Sequence, residues 1–305
     1  MRTVALVAVV AALLGGWGVA GAAVAPSALD ASFGLSTDDA GPIQLSAFVQ
    51  GGISEVVGYR LGGWLVTGSG DTHSFLADAY LDFKGPKFYL AGGQKFVPFG
   101  PAGGVLVSPG IRGGEAKFDL PWLTLQVITG RTQFTPVSGG GPRFTPSPLF
   151  PSGAVRPKED MTGARAQFTL TPAKSILPVK VGVNLLDVLH RTGLSGDGEF
   201  SLLPNLKAFA EYARFRGVSA WAAGFSVTGL GKAFGTDRYT SAVVFYRRIP
   251  DDYAPAVVGA SQYFPGQRGL AAGLYHELNP GRTGVGLFAD NENAILTLFK
   301  HFPLR

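Results

Sequence analysis

Glu115, Lys117 and Asp119 stand at every second position of the stretch GGEAKFDL (113–120), with Ala116, Phe118 and Leu120 interleaved. Successive side chains of an extended strand point to opposite faces, so this spacing puts three charges on one side and three apolar groups on the other. Charges so arranged do not make a hydrolytic centre. They suit either the wall of a water-filled passage, where rings of fixed charge select ions, or ion pairs that stiffen a wall.

Other chemistry is poorly provided for. The chain has 305 residues and no cysteine, which excludes disulfides and thiolate metal sites. Its histidines are His73, His190, His276 and His301, and no Gly-x-Ser-x-Gly elbow occurs. Asp251-Asp252 with His276 is the nearest approach to a catalytic constellation. Such a set would belong to a barrel enzyme, a lipid hydrolase or protease, and its loss of hydrolysis on alanine substitution at Asp252 or His276 would reveal it. There is no metal-ligand cluster, phosphate-cradling loop or cofactor motif, so no cofactor is expected. The net charge of +5 is scattered without a Lys/Arg-rich run, which argues against nucleic acid.

Alternation recurs along the chain. In HSFLADAYLDF (73–83) Phe75, Ala77, Ala79, Leu81 and Phe83 oppose Asp78, Tyr80 and Asp82. GARAQFTL (163–170), VKVGVNL (179–185) and SAWAAGFSVTG (219–229) repeat the pattern. Period two predicts strands. Helical signal is confined to NLLDVLHR (184–191), read as a strand end or one short turn. Tight turns rich in Gly, Pro and Asn fall at 84–87, 121–122, 171–175, 204–205, 231–237 and 279–282. Longer connections are expected at 51–72, 95–112, 131–160, 190–198 and 249–268, with short ones near 216–217 and 291–293. About fourteen strands (12 to 16) result, with short turns sorted to one end and longer links mostly to the other. That asymmetry and an even strand number belong to transmembrane barrels.

The predicted fold class is therefore all-β: a closed antiparallel transmembrane β-barrel. Charged residues make up only 15%, few for a chain with a large wetted surface. Backbone groups in a bilayer must pair internally, so only helices and closed barrels can span it, and no later run resembles a spanning helix. The competing reading is a secreted β-sandwich or β-helix, which also alternates. Residues 1–22 read as a secretory signal peptide, with Arg2, an apolar run from Val4 to Leu14 and Ala20-Gly21-Ala22 as the cleavage site. An uncleaved anchor is the alternative. The expected organisation is a lead-in at 23–42 and a single barrel domain at 43–305 carrying the Pro-rich loop 131–160.

The stretch SFLADAYLDFKGPKFYLAGGQKFVPFGP (74–101) resembles a recurrent stretch of bacterial outer-membrane porins, through Tyr80, Phe83, Gly93, Gln94, Pro98, Phe99 and Gly100. It covers about a tenth of the chain. The closing AILTLFKHFPLR departs from the pattern, since Pro303-Leu304-Arg305 follow Phe302 where porins commonly end on an aromatic residue. The resemblance implies a passive channel for small hydrophilic solutes or ions, outer-membrane lipid as its surroundings, and assembly as a homotrimer. It also implies that loop 131–160 folds into the lumen as a constriction; a flexible outer loop is the alternative. Gate candidates are then Arg131, Arg143, Arg156, Lys158, Glu159 and Asp160, a set that leans towards anions. Wall candidates are Lys117, Arg165, Lys180, Lys207, Arg248 and Lys300 against Asp78, Asp82, Glu115, Asp119, Glu211 and Glu277, with the signs balanced. A barrel with a plugged lumen, serving as an envelope anchor or adhesin, would read the same way.

Overall fold

Every described strand pairs with both sequence neighbours, and the last pairs with the first. The computed structural model describes residues 26–36, 43–68, 71–97, 110–132, 160–170, 178–188, 191–215, 217–250, 268–279, 282–290 and 294–303. The strands are β1 (Pro26–Ser36), β2 (Ile43–Gly52), β3 (Val57–Gly68), β4 (Asp71–Lys84), β5 (Phe88–Phe96) and β6 (Gly110–Asp119). There follow β7 (Leu123–Thr132), β8 (Asp160–Leu170), β9 (Val179–Val188), β10 (Arg191–Leu203) and β11 (Leu206–Phe215). The last are β12 (Val218–Thr228), β13 (Thr240–Arg248), β14 (Arg268–Asn279), β15 (Thr283–Asp290) and β16 (Ala294–Pro303). A short 3-10 turn at Leu230–Phe234 precedes β13. All pairings are antiparallel, and β1 against β16 closes the barrel through Ala28↔Pro303 to Ser36↔Ile295. Among the described residues no helix is long and apolar enough to cross a membrane.

The barrel has sixteen strands, the upper end of the expected 12 to 16 and two more than the central figure of fourteen. One of the two additions is β1, which lies inside the stretch expected to be a lead-in at 23–42, so the barrel begins at Pro26. The other is β3, inside the supposed connection 51–72, which is a turn at 53–56, a strand, and a link at 69–70. The link expected at 190–198 shrinks to 189–190, because β10 already begins at Arg191. Residues 184–188 of the one helix candidate belong to β9.

The ends of the barrel differ as the turn chemistry requires. Links 53–56, 85–87, 120–122, 204–205 and 280–282 share one end with both termini of the barrel. The opposite end carries the three longest connections, 97–109, 133–159 and 249–267. We call these the turn end and the long-connection end.

The register assigns each side chain a face. Outward positions are apolar along almost every strand: Leu81, Leu90, Phe118, Leu125, Val127, Phe168, Val181, Val183 and Leu185 are all exposed. Aromatic pairs sit on the same outer surface near both ends. Phe83 stacks on Phe88 at 5.5 Å and Trp122 on Phe168 at 6.4 Å at the turn end, while Trp221 stacks on Tyr246 at 5.3 Å at the other. An apolar band flanked by aromatic girdles is the surface that lipid demands.

Candidate functional site: the lumenal wall

Inward positions carry most of the ionisable groups of the described strands, and neighbouring strands bring many of them into linked pairs. On β2–β4 the Arg60 Nε donates to Asp78 Oδ2 at 2.9 Å and Nη1 donates to Gln50 Oε1 at 3.2 Å, with the guanidinium 4.7 Å above the Phe48 ring. On β5–β7 the Lys95 ammonium donates to the Glu115 carboxylate and, at 2.9 Å, to the Tyr89 hydroxyl. It also lies 4.7 Å and 4.8 Å from the Tyr80 and Tyr89 ring centres, and Gln126 Nε2 donates to Glu115 Oε1 at 2.6 Å. To reach Glu115, Lys95 passes the inward pair Gly93–Gly113, which has no side chains to block it. Gly93 has φ +131°, and a Cβ there would collide with the backbone of Ala79, so only glycine fits this row.

The most enclosed group is on β8–β10. Arg165 forks onto Asp197 through Nη1 to Oδ2 and through Nη2 to Oδ1, the latter at 2.9 Å. Arg165 Nη1 also donates to Asn184 Oδ1 at 2.7 Å, and Asn184 Nδ2 donates to Asp197 Oδ2 at 3.0 Å and Ser195 Oγ at 2.8 Å. The fork spans β9 above Gly182, where a Cβ would stand 2.5 Å from Arg165 Nη2 and 2.6 Å from Asp197 Oδ1. Gly182→Ala is therefore expected to push the pair apart and to cost about 1–3 kcal/mol, the usual penalty of overpacking. A lower temperature for the heat-induced gel shift of the detergent-solubilised barrel checks this; an unchanged transition would mean that the fork has room to spare.

Further round the wall, Glu199 is shared by Lys207 at 3.1 Å and Lys180 at 3.7 Å. Arg247 on β13 pairs with Asp290 on β15 at 2.5 Å. Between β12 and β1 the wall changes character: Ser32, Ser226, Ser241, Tyr275, Thr297 and Phe299 border a cavity of about 400 Å³. Towards the long-connection end the inward positions turn apolar. Ile111, Ile128, Met161, Leu186, Phe215, Phe245 and Ile249 belong to one fully buried cluster.

Of the wall candidates, Asp78, Asp82, Glu115, Lys117, Asp119, Arg165, Lys180, Lys207, Glu211 and Glu277 occupy inward positions. Two do not. Arg248 is exposed on the outer face because its neighbour Arg247 takes the inward position. Lys300 likewise points outward, donating to Thr283 Oγ1 at 3.2 Å over the Phe302 ring. The gate candidates Arg131 and Asp160 pair with one another at 3.1 Å on outward positions, which removes both from the lumen. Arg143, Arg156, Lys158 and Glu159, with the rest of the loop, lie outside the described residues, as do residues 1–22 and Asp251-Asp252. His276 faces outward, with Nδ1 2.8 Å from Thr240 Oγ1. Among the described residues no group of metal-ligating side chains forms.

Residues not foreseen include Arg60, Lys95, Asp197, Glu199, Arg247 and Asp290. With them included, inward carboxylates among the described side chains (Asp30, Asp78, Asp82, Glu115, Asp119, Asp197, Glu199, Glu211, Glu277 and Asp290) outnumber the inward cations (Arg60, Lys84, Lys95, Lys117, Arg165, Lys180, Lys207 and Arg247). The described wall is thus negative, not balanced.

No family model matches the chain, and no curated protein matches it. Solved structures do. OprB of Pseudomonas putida, in a low-pH structure, is 12% identical with a TM-score of 0.52, over 90% of this chain and 91% of that one. A mutant of Rhodopseudomonas blastica porin is 8% identical with a TM-score of 0.50, over 91% and 99%. Wzi, an Escherichia coli outer-membrane protein involved in group 1 capsule assembly and described as a carbohydrate-binding barrel, gives 0.49 at 12% identity, over 92% and 85%. The chain has the closed antiparallel barrel fold of outer-membrane porins.

Proposed function

We propose that the chain is an outer-membrane channel through which small hydrophilic solutes and ions diffuse passively, and that it catalyses no reaction. The observation that carries this reading is the closure of sixteen strands around inward ionisable groups with an apolar outer band. Barrels of 16–18 strands leave an aqueous channel, whereas eight-stranded ones fill with their own side chains. Outer-membrane residence, after removal of a signal peptide, and trimeric assembly belong to the same proposal.

Planar bilayers containing the purified barrel test it. Discrete conductance steps are expected, together with swelling of liposomes in small sugars. Silence in both assays would leave the second reading, an envelope anchor with an occluded lumen, which the buried apolar cluster at the long-connection end favours. The negative wall further predicts a preference for cations. In a potassium chloride gradient the reversal potential should carry the sign of K⁺ over Cl⁻, and the opposite sign would refute it.

A further inference from the structure

The outer surface has a charge order of its own. On β11–β14 outward residues follow one sequence towards the long-connection end: Ala210, Ala223 and Val244, then Tyr212, Trp221 and Tyr246, then Arg214, Arg248 and Arg268. Cross-strand partners tie the last two tiers together, with Tyr212 opposite Trp221, Trp221 opposite Arg248, and Arg248 opposite Arg268. Arg268 Nε donates to the Tyr246 hydroxyl at 3.2 Å. Two like charges directly opposed across strands destabilise a sheet, and among the described residues neither Arg214 nor Arg248 has a salt-bridge partner. Elsewhere on the described rim the outward charges balance, Arg112 and Arg131 against Asp160, which pairs with Arg131, and Asp187, so the excess of arginine is local to β11–β14.

From this we infer that the β11–β14 rim binds a phosphate-bearing lipid headgroup of the adjoining leaflet, with Arg248 and Arg268 clasping the phosphate and Trp221 and Tyr246 seated at the polar–apolar boundary. A phosphate between the two guanidiniums converts their repulsion into a shared, forked set of charge-assisted hydrogen bonds. The aromatic tier fixes the depth, since Trp and Tyr settle at headgroup level. A free phosphate ion would have no use for that tier or for the apolar one beneath it. The inference rests on the outer face meeting lipid, and not on an open lumen.

Native mass spectrometry of the detergent-solubilised chain, titrated with dioleoyl phosphatidic acid and with uncharged dioleoylglycerol, tests the site. Phosphatidic acid should be retained in preference to the diacylglycerol. The double variant Arg248→Gln/Arg268→Gln should weaken it about thirtyfold, as expected for two surface arginines, while Lys300→Gln leaves it unchanged. Conductance should be the same in all three proteins, so the channel reading can fail without touching this one. Equal retention by the double variant overturns the inference. So does complete displacement by equimolar inorganic phosphate, or retention of a second copy of the chain that the double variant abolishes.

Discussion

Arg165→Ala is expected to cost about 3–5 kcal/mol of barrel stability, the loss usual when one member of a buried ion pair is removed. The side chains of Arg165 and Asp197 are only 4% and 2% exposed. The variant would leave the Asp197 carboxylate enclosed, with Asn184 Nδ2 its remaining donor within the group. The penalty comes from that stranded charge more than from the lost attraction. Arg165→Met/Asp197→Leu should therefore recover most of the loss, because the double change removes both desolvated ions. Lys117→Ala offers the contrast. Its partner Asp119 lies 3.4 Å away, the two are 39% and 46% exposed, and its removal should stay within about 1 kcal/mol. Urea unfolding in lipid vesicles, followed by tryptophan emission, measures all three. A mild effect of Arg165→Ala with no recovery in the double variant would show that water reaches the fork.

The barrel was legible in the sequence wherever the two faces differ in kind. Residues 113–119, 163–170 and 179–185 alternate small polar or charged with apolar, and strands β6, β8 and β9 stand within a few residues of the positions expected. Strand β1 carries the same signal, with Leu29, Ala31, Phe33 and Leu35 outward against Asp30, Ser32 and Gly34 inward, but its place just beyond a leader-like segment disguised it. Strand β3 is harder for a physical reason. Trp64 and Val66 stand at even positions of the strand and Leu61 and Leu65 at odd ones, so bulky apolar residues fall at both parities. Neither face of β3 is distinctly polar.

The site was less legible than the fold, because a slip of one residue reverses every face. Arg247 and Arg248 follow the apolar run VVFY, in which both faces are greasy, and nothing local says which arginine turns inward. Lys300 has the same ambiguity, since its strand also sends Phe299 inward. Pairing partners are a further step removed. Arg165 meets Asp197 across an intervening strand, and only the order β8–β9–β10, with glycine at 182, makes that reach possible. Two outward groups, Arg131 and Asp160, come together because β7 and β8 are neighbours despite the long connection between them.

The in–out assignment itself has a direct experimental consequence at Val183, midway along β9 and 54% exposed on the outer face. If that face meets hydrocarbon, Val183→Arg should cost about 2–4 kcal/mol, the measured range for a cation near the bilayer midplane of a barrel. The matched substitution on the inner face is Ser226→Arg, beside the cavity bordered by Ser241 and Tyr275. There the guanidinium has water and hydroxyl groups to solvate it, so stability should hardly change while single-channel conductance falls. A soluble sandwich reverses both signs: arginine at 183 would reach water freely, and arginine at 226 would be driven into a packed interior. Comparing unfolding midpoints of the two variants in vesicles thus decides which face the lipid touches, whether or not any solute passes through the middle. A destabilised Ser226→Arg beside an unaffected Val183→Arg would overturn the transmembrane barrel, and with it both the channel and the lipid-binding rim.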